Sequence, residues 1–309
     1  MIIDSHCHAG KGDGLSGPWD TDAPLGAYLR RAARAGIGRT VLFAAFSSDY
    51  RATNAEIGRI VAKRPDRFYG YAKVNAARDA GRIGAIVAEA VTGWGACGIK
   101  VHKHDARLTR EVCEVARSFA LPVLYDVMGE PYPMELVAAE YPDVAFVIPH
   151  LGSFSDEWRA QRAVIDMLAR HPNLYTDTSG IRRFDLLAEA VRRAGPQKVM
   201  FGTDGPWLHP AVELSKVYAL RLPPAEEKLV LAANWLRLTA VARSRARAQA
   251  WRKPVPATRV PLTRSTAAAR RLRPGRPASP TPDLIGDRGD PWTAEQFPAD
   301  QLSYPQAQR

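Results

Sequence analysis

The chain has 309 residues, 46% of them hydrophobic, and a formal net charge of +11. That length accommodates one large α/β domain with an extension, or two smaller domains. Three cysteines, Cys7, Cys97 and Cys113, are too few and too odd in number for a disulfide framework, which points to a reducing cytoplasm. No apolar run approaches the about 18 residues of a membrane span, and the N-terminus lacks the basic stretch and apolar core of a signal peptide.

The charge is unevenly spread. Residues 241–309 hold 13 Lys+Arg and 5 Asp+Glu, against 30 and 27 in residues 1–240. The basic character belongs mainly to the C-terminal segment, so it is weak evidence that the folded body binds nucleic acid.

The first eight residues, Met1-Ile-Ile-Asp-Ser-His-Cys-His8, read as a short buried strand in which His6 and His8 share one face. A polar, Gly-rich loop follows over 10–17, then a helix over 24–36 with Leu25, Leu29 and Ala33 at helical spacing. The continuous apolar run 40–46 is a strand covered on both faces. Helices over 53–63, 78–92, 108–119, 133–141, 157–171 and 184–194 then alternate with strands over 67–74, 96–102, 121–127, 144–150, 173–178 and 197–203. Eight strands separated by helices call for a parallel sheet closed as a (β/α)8 TIM barrel. An extra helix is expected over 209–220, and Pro223-Pro224 start a last one over about 224–241.

From about 245 the hydrophobic period disappears. Residues 251–309 carry 10 of the 24 prolines and scattered arginines, so 245–309 is expected to be a disordered tail and 1–244 the barrel. The arginines of 264–276 could touch RNA or acidic lipid heads; a solvated tail is the preferred reading.

Barrel chemistry gathers at the C-terminal ends of strands. Here those ends read His6 and His8, Lys100 and His102, Asp126, His150, and Asp204. Singly, a strand-end Asp is a helix cap and a lone His a satisfied polar residue. Together, His6, His8, Asp126, His150 and Asp204 crowd one mouth, which a divalent cation would neutralise. Imidazole with carboxylate suits zinc, with manganese or iron as alternatives.

The stretches Ile3-Asp-Ser-His-Cys-His8, Val147-Ile-Pro-His-Leu-Gly152, Asn173-Leu-Tyr-Thr-Asp-Thr-Ser179, Phe201-Gly-Thr-Asp-Gly-Pro-Trp207 and Asn234-Trp-Leu-Arg-Leu238 resemble the amidohydrolase superfamily. The branch they resemble is amidohydrolase-2, which also holds aminocarboxymuconate-semialdehyde decarboxylase. The resemblance runs over residues 1 to about 242. It implies one divalent metal on His6, His8 and Asp204, with His150 beside the attacking water as ligand or proton carrier. The family usually ends strand five with a histidine ligand, where this chain has Asp126; a carboxylate there makes the site harder. In binuclear relatives a strand-four lysine is carbamylated and bridges two metals, so Lys100 with His102 is an alternative second site. Pairing of Lys100 with Asp126 or a substrate anion is the preferred reading.

The expected function is a metal-dependent hydrolase acting with activated water on a small amide, ester or lactone. Asp204 would take the proton and His150 orient water or stabilise the oxyanion. Lys100, His102, Arg182 and Trp207 are candidate substrate contacts, with Arg182 or Arg183 as a carboxylate clamp. A non-oxidative decarboxylase of a small aromatic or unsaturated acid is the alternative, and a non-catalytic scaffold with a recruiting tail a second. A small molecule is the expected partner, and a homodimer the family-level expectation. Deleting 246–309 should leave turnover and melting temperature almost unchanged; a large fall in melting temperature would show that the tail packs on the barrel.

Overall fold

Strand β1 (Ile2–Lys11) and strand β3 (Ile37–Ala44) pair in parallel, and helix α1 (Leu25–Arg34) carries the chain between them. The computed structural model describes residues 1–16, 20–154 and 157–251. β1 runs three residues past the expected end because a short strand, β2 (Asp22–Ala23), pairs antiparallel with its last residues. That pairing occupies part of what the sequence reads as a Gly-rich loop.

The order then continues through α2 (Tyr50–Lys63), β4 (Phe68–Gly70), β5 (Ala72–Lys73), α3 (Ile83–Trp94), β6 (Ile99–His102) and α4 (Arg110–Phe119). It goes on through β7 (Val123–Asp126), α5 (Pro133–Glu140), β8 (Phe146–Ile148), α6 (Trp158–Arg170), β9 (Leu174–Asp177), α7 (Phe184–Ala194) and β10 (Val199–Met200). One sheet runs β2-β1-β3-β4 and the other β10-β9-β8-β7-β6-β5. β4 and β5 are one strand position interrupted at Tyr71, whose N–H donates to Leu42 O at 2.9 Å.

At the other seam, Ser5 N–H donates to Phe201 O at 2.9 Å and His8 N–H to Gly205 O at 2.6 Å. These bonds join the last strand to the first, so the eight parallel positions close into a TIM barrel. The strands read as continuous apolar runs because both faces are covered: Val41, Leu42, Phe43 and Ala44 are all 0% exposed.

The segment expected as one helix over 224–241 is several pieces: α9 (Pro224–Lys228), a π turn over Leu229–Ala233 and α10 (Asn234–Leu238). The π turn has a local reason. It accompanies a bond from Phe201 N–H to Val230 O at 2.8 Å, which ties the helix to the bottom of the last strand. Asn234 Nδ2 adds bonds to Pro196 O and Val199 O, both 2.8 Å. α8 (Pro210–Ala219) is the expected extra helix. α11 (Ala240–Trp251) carries helix past the expected boundary at 244, with Arg245 Nη1 donating to Phe119 O at 3.0 Å. The expected disorder over 252–309 lies outside the described residues. Among those described, no helix is long and apolar enough to cross a membrane.

Inside the barrel, Lys73 and Lys100 are register partners on β5 and β6, and both are fully buried. Neither Nζ has a hydrogen-bond partner; Lys73 Nζ lies 3.8 Å from the Phe46 ring centroid and Lys100 Nζ 5.0 Å from that of Phe43. Burial pushes Lys73 down to about 7 from an ordinary 10.5. The folded state therefore binds this proton less tightly than the unfolded chain. Its stability penalty is full below pH about 7 and fades as pH rises to 10.5. Lys73→Met should accordingly raise the melting temperature at pH 6, with a smaller gain at pH 9; a variant that melts lower at both would show that the amine is paired in solution.

Candidate active site

The C-terminal ends of β1, β6, β7, β8 and the turn after β10 surround a cavity of about 480 Å³. His6, His8, His102, Asp126, His150 and Asp204 line it, together with Asp20, Met128, Ser153, Phe154, Trp207 and Leu208. His6 and His8 point the same way because the strand repeats every two residues, while Cys7 turns to the opposite layer and is buried there.

His6, His8 and Asp204 form one group whose potential ligand atoms lie within 4.8 Å of one another. Asp204 Oδ1 is 3.2 Å from His6 Nε2 and 3.5 Å from His8 Nε2. On the far side of His6, Nδ1 is 2.7 Å from Asp177 Oδ2. That carboxylate fixes the neutral ring with its proton on Nδ1 and leaves the Nε2 lone pair facing Asp204, the arrangement that orients a metal-binding histidine. Gly202 permits it: a Cβ there would sit 2.9 Å from His6 Cβ and 3.3 Å from Asp177 Cβ.

His150 follows β8 in a tight turn with φ of +58°, and its backbone N–H donates to Asp177 Oδ1 at 3.3 Å. Its Nδ1 donates to Ser179 O at 2.7 Å, so Nε2 presents a lone pair to the cavity, 3.6 Å from Asp126 Oδ2. His102 Nδ1 accepts the His104 N–H at 3.1 Å, so the neutral ring carries its proton on Nε2 and donates to Asp126 Oδ2 at 3.2 Å. Asp126 Oδ1 accepts the Met128 N–H at 2.9 Å.

Burial lowers His8 and His102, keeping both rings neutral, although Asp204 and Asp126 work in the other direction. Burial alone would raise Asp126, but His102, His150 and Lys100 pull it well below the ordinary carboxylate range. Burial would also lower His6, but the charge of Asp177 and the hydrogen bonds to Asp177 and Asp204 together outweigh it and push His6 up to about 9.

Of the residues singled out from the sequence, His6, His8 and Asp204 come together as one three-donor group. His150, Asp126, His102 and Trp207 line the same cavity. Asp126 is engaged by His102 and Met128 and stands outside the three-donor group. Lys100, two residues before His102 on β6, lies one layer deeper and does not line the cavity; Arg182 is exposed and does not line it either. Asp177 and Ser179 carry positioning roles that strand-end reasoning did not assign. The signal was present, because Leu174-Tyr-Thr-Asp177 ends in a carboxylate as β7 does.

Two imidazole nitrogens and a carboxylate oxygen, with one imidazole already held by a second carboxylate, suit a divalent cation of the zinc or manganese kind. The comparisons agree with this geometry. The chain belongs to the amidohydrolase family, whose model matches residues 3–238. Its fold is similar to 2,6-dihydroxybenzoate decarboxylase in complex with 2,6-dihydroxybenzoate, at 16% identity and a TM-score of 0.61, over 77% of this chain and 99% of that one. It is similar to an amidohydrolase from Burkholderia multivorans with bound zinc, at 18% identity and a TM-score of 0.64, over 78% and 99%. A dihydroxybenzoic acid decarboxylase from Polaromonas sp. JS666 with bound manganese and 2-nitroresorcinol matches at 16% identity and a TM-score of 0.59, over 79% and 98%. No curated protein matches the chain in sequence.

A cation at His6 Nε2 must displace the second ring proton, which the ring carries there below its raised pKa of about 9, while Asp177 keeps the proton on Nδ1; affinity for a divalent ion should therefore rise with pH up to about 9. Asp177→Ala should weaken that affinity about 10–100-fold and move the pH dependence downward. Chelator-competition titrations with zinc between pH 6 and 9 read both effects; unchanged affinity in the variant would remove Asp177 from this role.

Proposed function

We propose that the chain is a metal-dependent hydrolase of a small amide, ester or lactone, with zinc first and manganese or iron as alternatives. The observation that carries this reading is the three-donor group of His6, His8 and Asp204 on the wall of a 480 Å³ cavity at the strand ends. A divalent cation bound by these residues would polarise a carbonyl and bring the pKa of a water toward neutrality.

The chain's own residues supply the rest. Asp204 Oδ1, placed between the two histidine Nε2 atoms, is the acceptor for the proton released as attack begins. His150 Nε2 faces the cavity with its lone pair and can hold a proton for the leaving group, because Ser179 O fixes the other nitrogen as donor. Asp126 keeps His102 oriented and its carboxylate ionised at the opposite wall. Trp207 is held by its Nε1 bond to Asp22 O at 3.2 Å and stacks beside His8, covering one side of the site.

Decarboxylation of a small aromatic acid is the second reading, favoured by the decarboxylases of similar fold. No arginine or lysine appears among the described residues lining the cavity, so in this second reading a cation on His6, His8 and Asp204 would be what holds the substrate carboxylate. With zinc or manganese supplied, a panel of lactones, amides and aromatic acids separates the two by product: an acid with its alcohol or amine, or carbon dioxide. Asp204→Asn should lower kcat about 10²–10⁴-fold while part of the metal stays bound. His6→Ala with His8→Ala should lose both. Wild-type turnover in Asp204→Asn would end the proton-transfer role of that residue.

A further inference from the structure

Among the charged groups lining the cavity, Asp20 is the one without a task. Asp204 is taken up by His6 and His8, and Asp126 by His102 and the Met128 N–H. Asp20 also faces the cavity, partly buried, and its carboxylate makes no hydrogen bond or ion pair with any described residue. Its backbone is held all the same: φ is +55°, and Asp20 O accepts the Phe46 N–H at 3.0 Å. A carboxylate kept in the left-handed region by a fixed carbonyl is placed there by the fold.

The charge balance makes its position informative. A divalent cation on the His6, His8 and Asp204 group would be held by Asp204, with Asp177 behind His6, while Asp126 is bonded to His102; Asp20 has no such bonded counter-group among the described residues. The charge of Lys73 acts on Asp20 from the strand layer below, but no hydrogen bond or ion pair joins Asp20 to Lys73 or Lys100, and neither amine lines the cavity. Around Asp20 the mouth is aromatic and apolar. The Trp207 ring centroid stands 4.7 Å from that of His8, and Phe154, Leu208 and Met128 complete the lining. A carboxylate without a bonded partner in the same lining as an indole and other apolar groups is a recognition surface for a cationic nitrogen, which donates a charge-assisted hydrogen bond to the first and makes ring contact with the second.

We propose that the non-reacting end of the substrate carries a protonated nitrogen, an ammonium or amidinium, seated against Asp20 and Trp207. The proposal rests on the hydrolase reading for the reacting end; recognition at Asp20 is a separate property of the cavity.

The test uses the full-length protein loaded with zinc. Calorimetric binding is measured for three unreactive ligands of one shape, 3-phenylpropylamine, 3-phenylpropanol and 3-phenylpropanoate. Hydrolysis is measured for anilides bearing the same three terminal groups. The amine should bind about tenfold tighter than the alcohol, equivalent to about 1.4 kcal/mol, and the anilides should follow that order in kcat/KM. Asp20→Asn should erase the amine preference in both assays; asparagine tolerates positive φ as aspartate does, so the backbone is kept. Tighter binding of the propanoate than of the amine, or an amine preference that persists in Asp20→Asn, overturns the proposal. Amine-selective binding that depends on Asp20, without hydrolysis of any anilide, upholds the proposal and counts against the hydrolase reading instead. Hydrolysis without amine selectivity does the reverse.

Discussion

The seam between the last strand and the first is the constraint on which the site depends. Asp4, fully buried on β1, accepts the Thr203 N–H at 2.9 Å, the Thr203 hydroxyl at 2.5 Å and the Tyr28 hydroxyl. It thereby holds residues 199 positions away against the start of the chain. The very next residue after Thr203 is Asp204, and two residues after Asp4 is His6. The same bonds that close the barrel bring the carboxylate donor to the imidazole donors. Closure and ligand assembly are therefore one event, and damage to the Asp4 cluster reaches the site without touching a ligand.

A second layer of buried charge explains how these ligands keep their orientation. Asp177 holds the His6 ring through Nδ1 and the His150 backbone through its N–H, while Ser179 directs the His150 ring. The end of one strand, β9, thus orients one of the three donors and the neighbouring His150 ring together. Such outer partners determine which nitrogen is available, and so whether a pair of histidines can ligate at all. Below them, the two unpartnered amines of Lys73 and Lys100 are held against aromatic rings, a costly arrangement in a low-dielectric interior.

Membership of the amidohydrolase family and the barrel neighbours define the architecture. One barrel hosts many reactions, so the choice among them rests on the cavity. Its described lining carries four histidines and three aspartates with no lysine or arginine, so the positive charge at this mouth would come from a bound cation. The altered end of β7 fits that picture, because Asp126 adds a negative charge where the family usually has a neutral ring.

The alternation of helices and strands was legible in the amino-acid sequence, because burial on both faces writes β3 and β8 as apolar runs and the helices between them as amphipathic ones. The polar residues that end those runs, His6, His8, Asp126, His150 and Asp204, were legible for the same reason: a barrel strand turns polar where it leaves the core. What the residues alone did not settle was partnership. Whether Asp126 faces a cation or His102, whether Lys100 reaches the cavity, and which carboxylate orients His6 all depend on strand register and on the depth of each residue along the barrel axis. The unsatisfied carboxylate of Asp20 was equally hidden, because it emerges from an irregular segment whose course depends on β2 pairing with the end of β1 and on the Phe46 backbone. Local pattern records which residues are buried; only the closed sheet, through contacts between segments far apart in the chain, decides what each buried polar group meets.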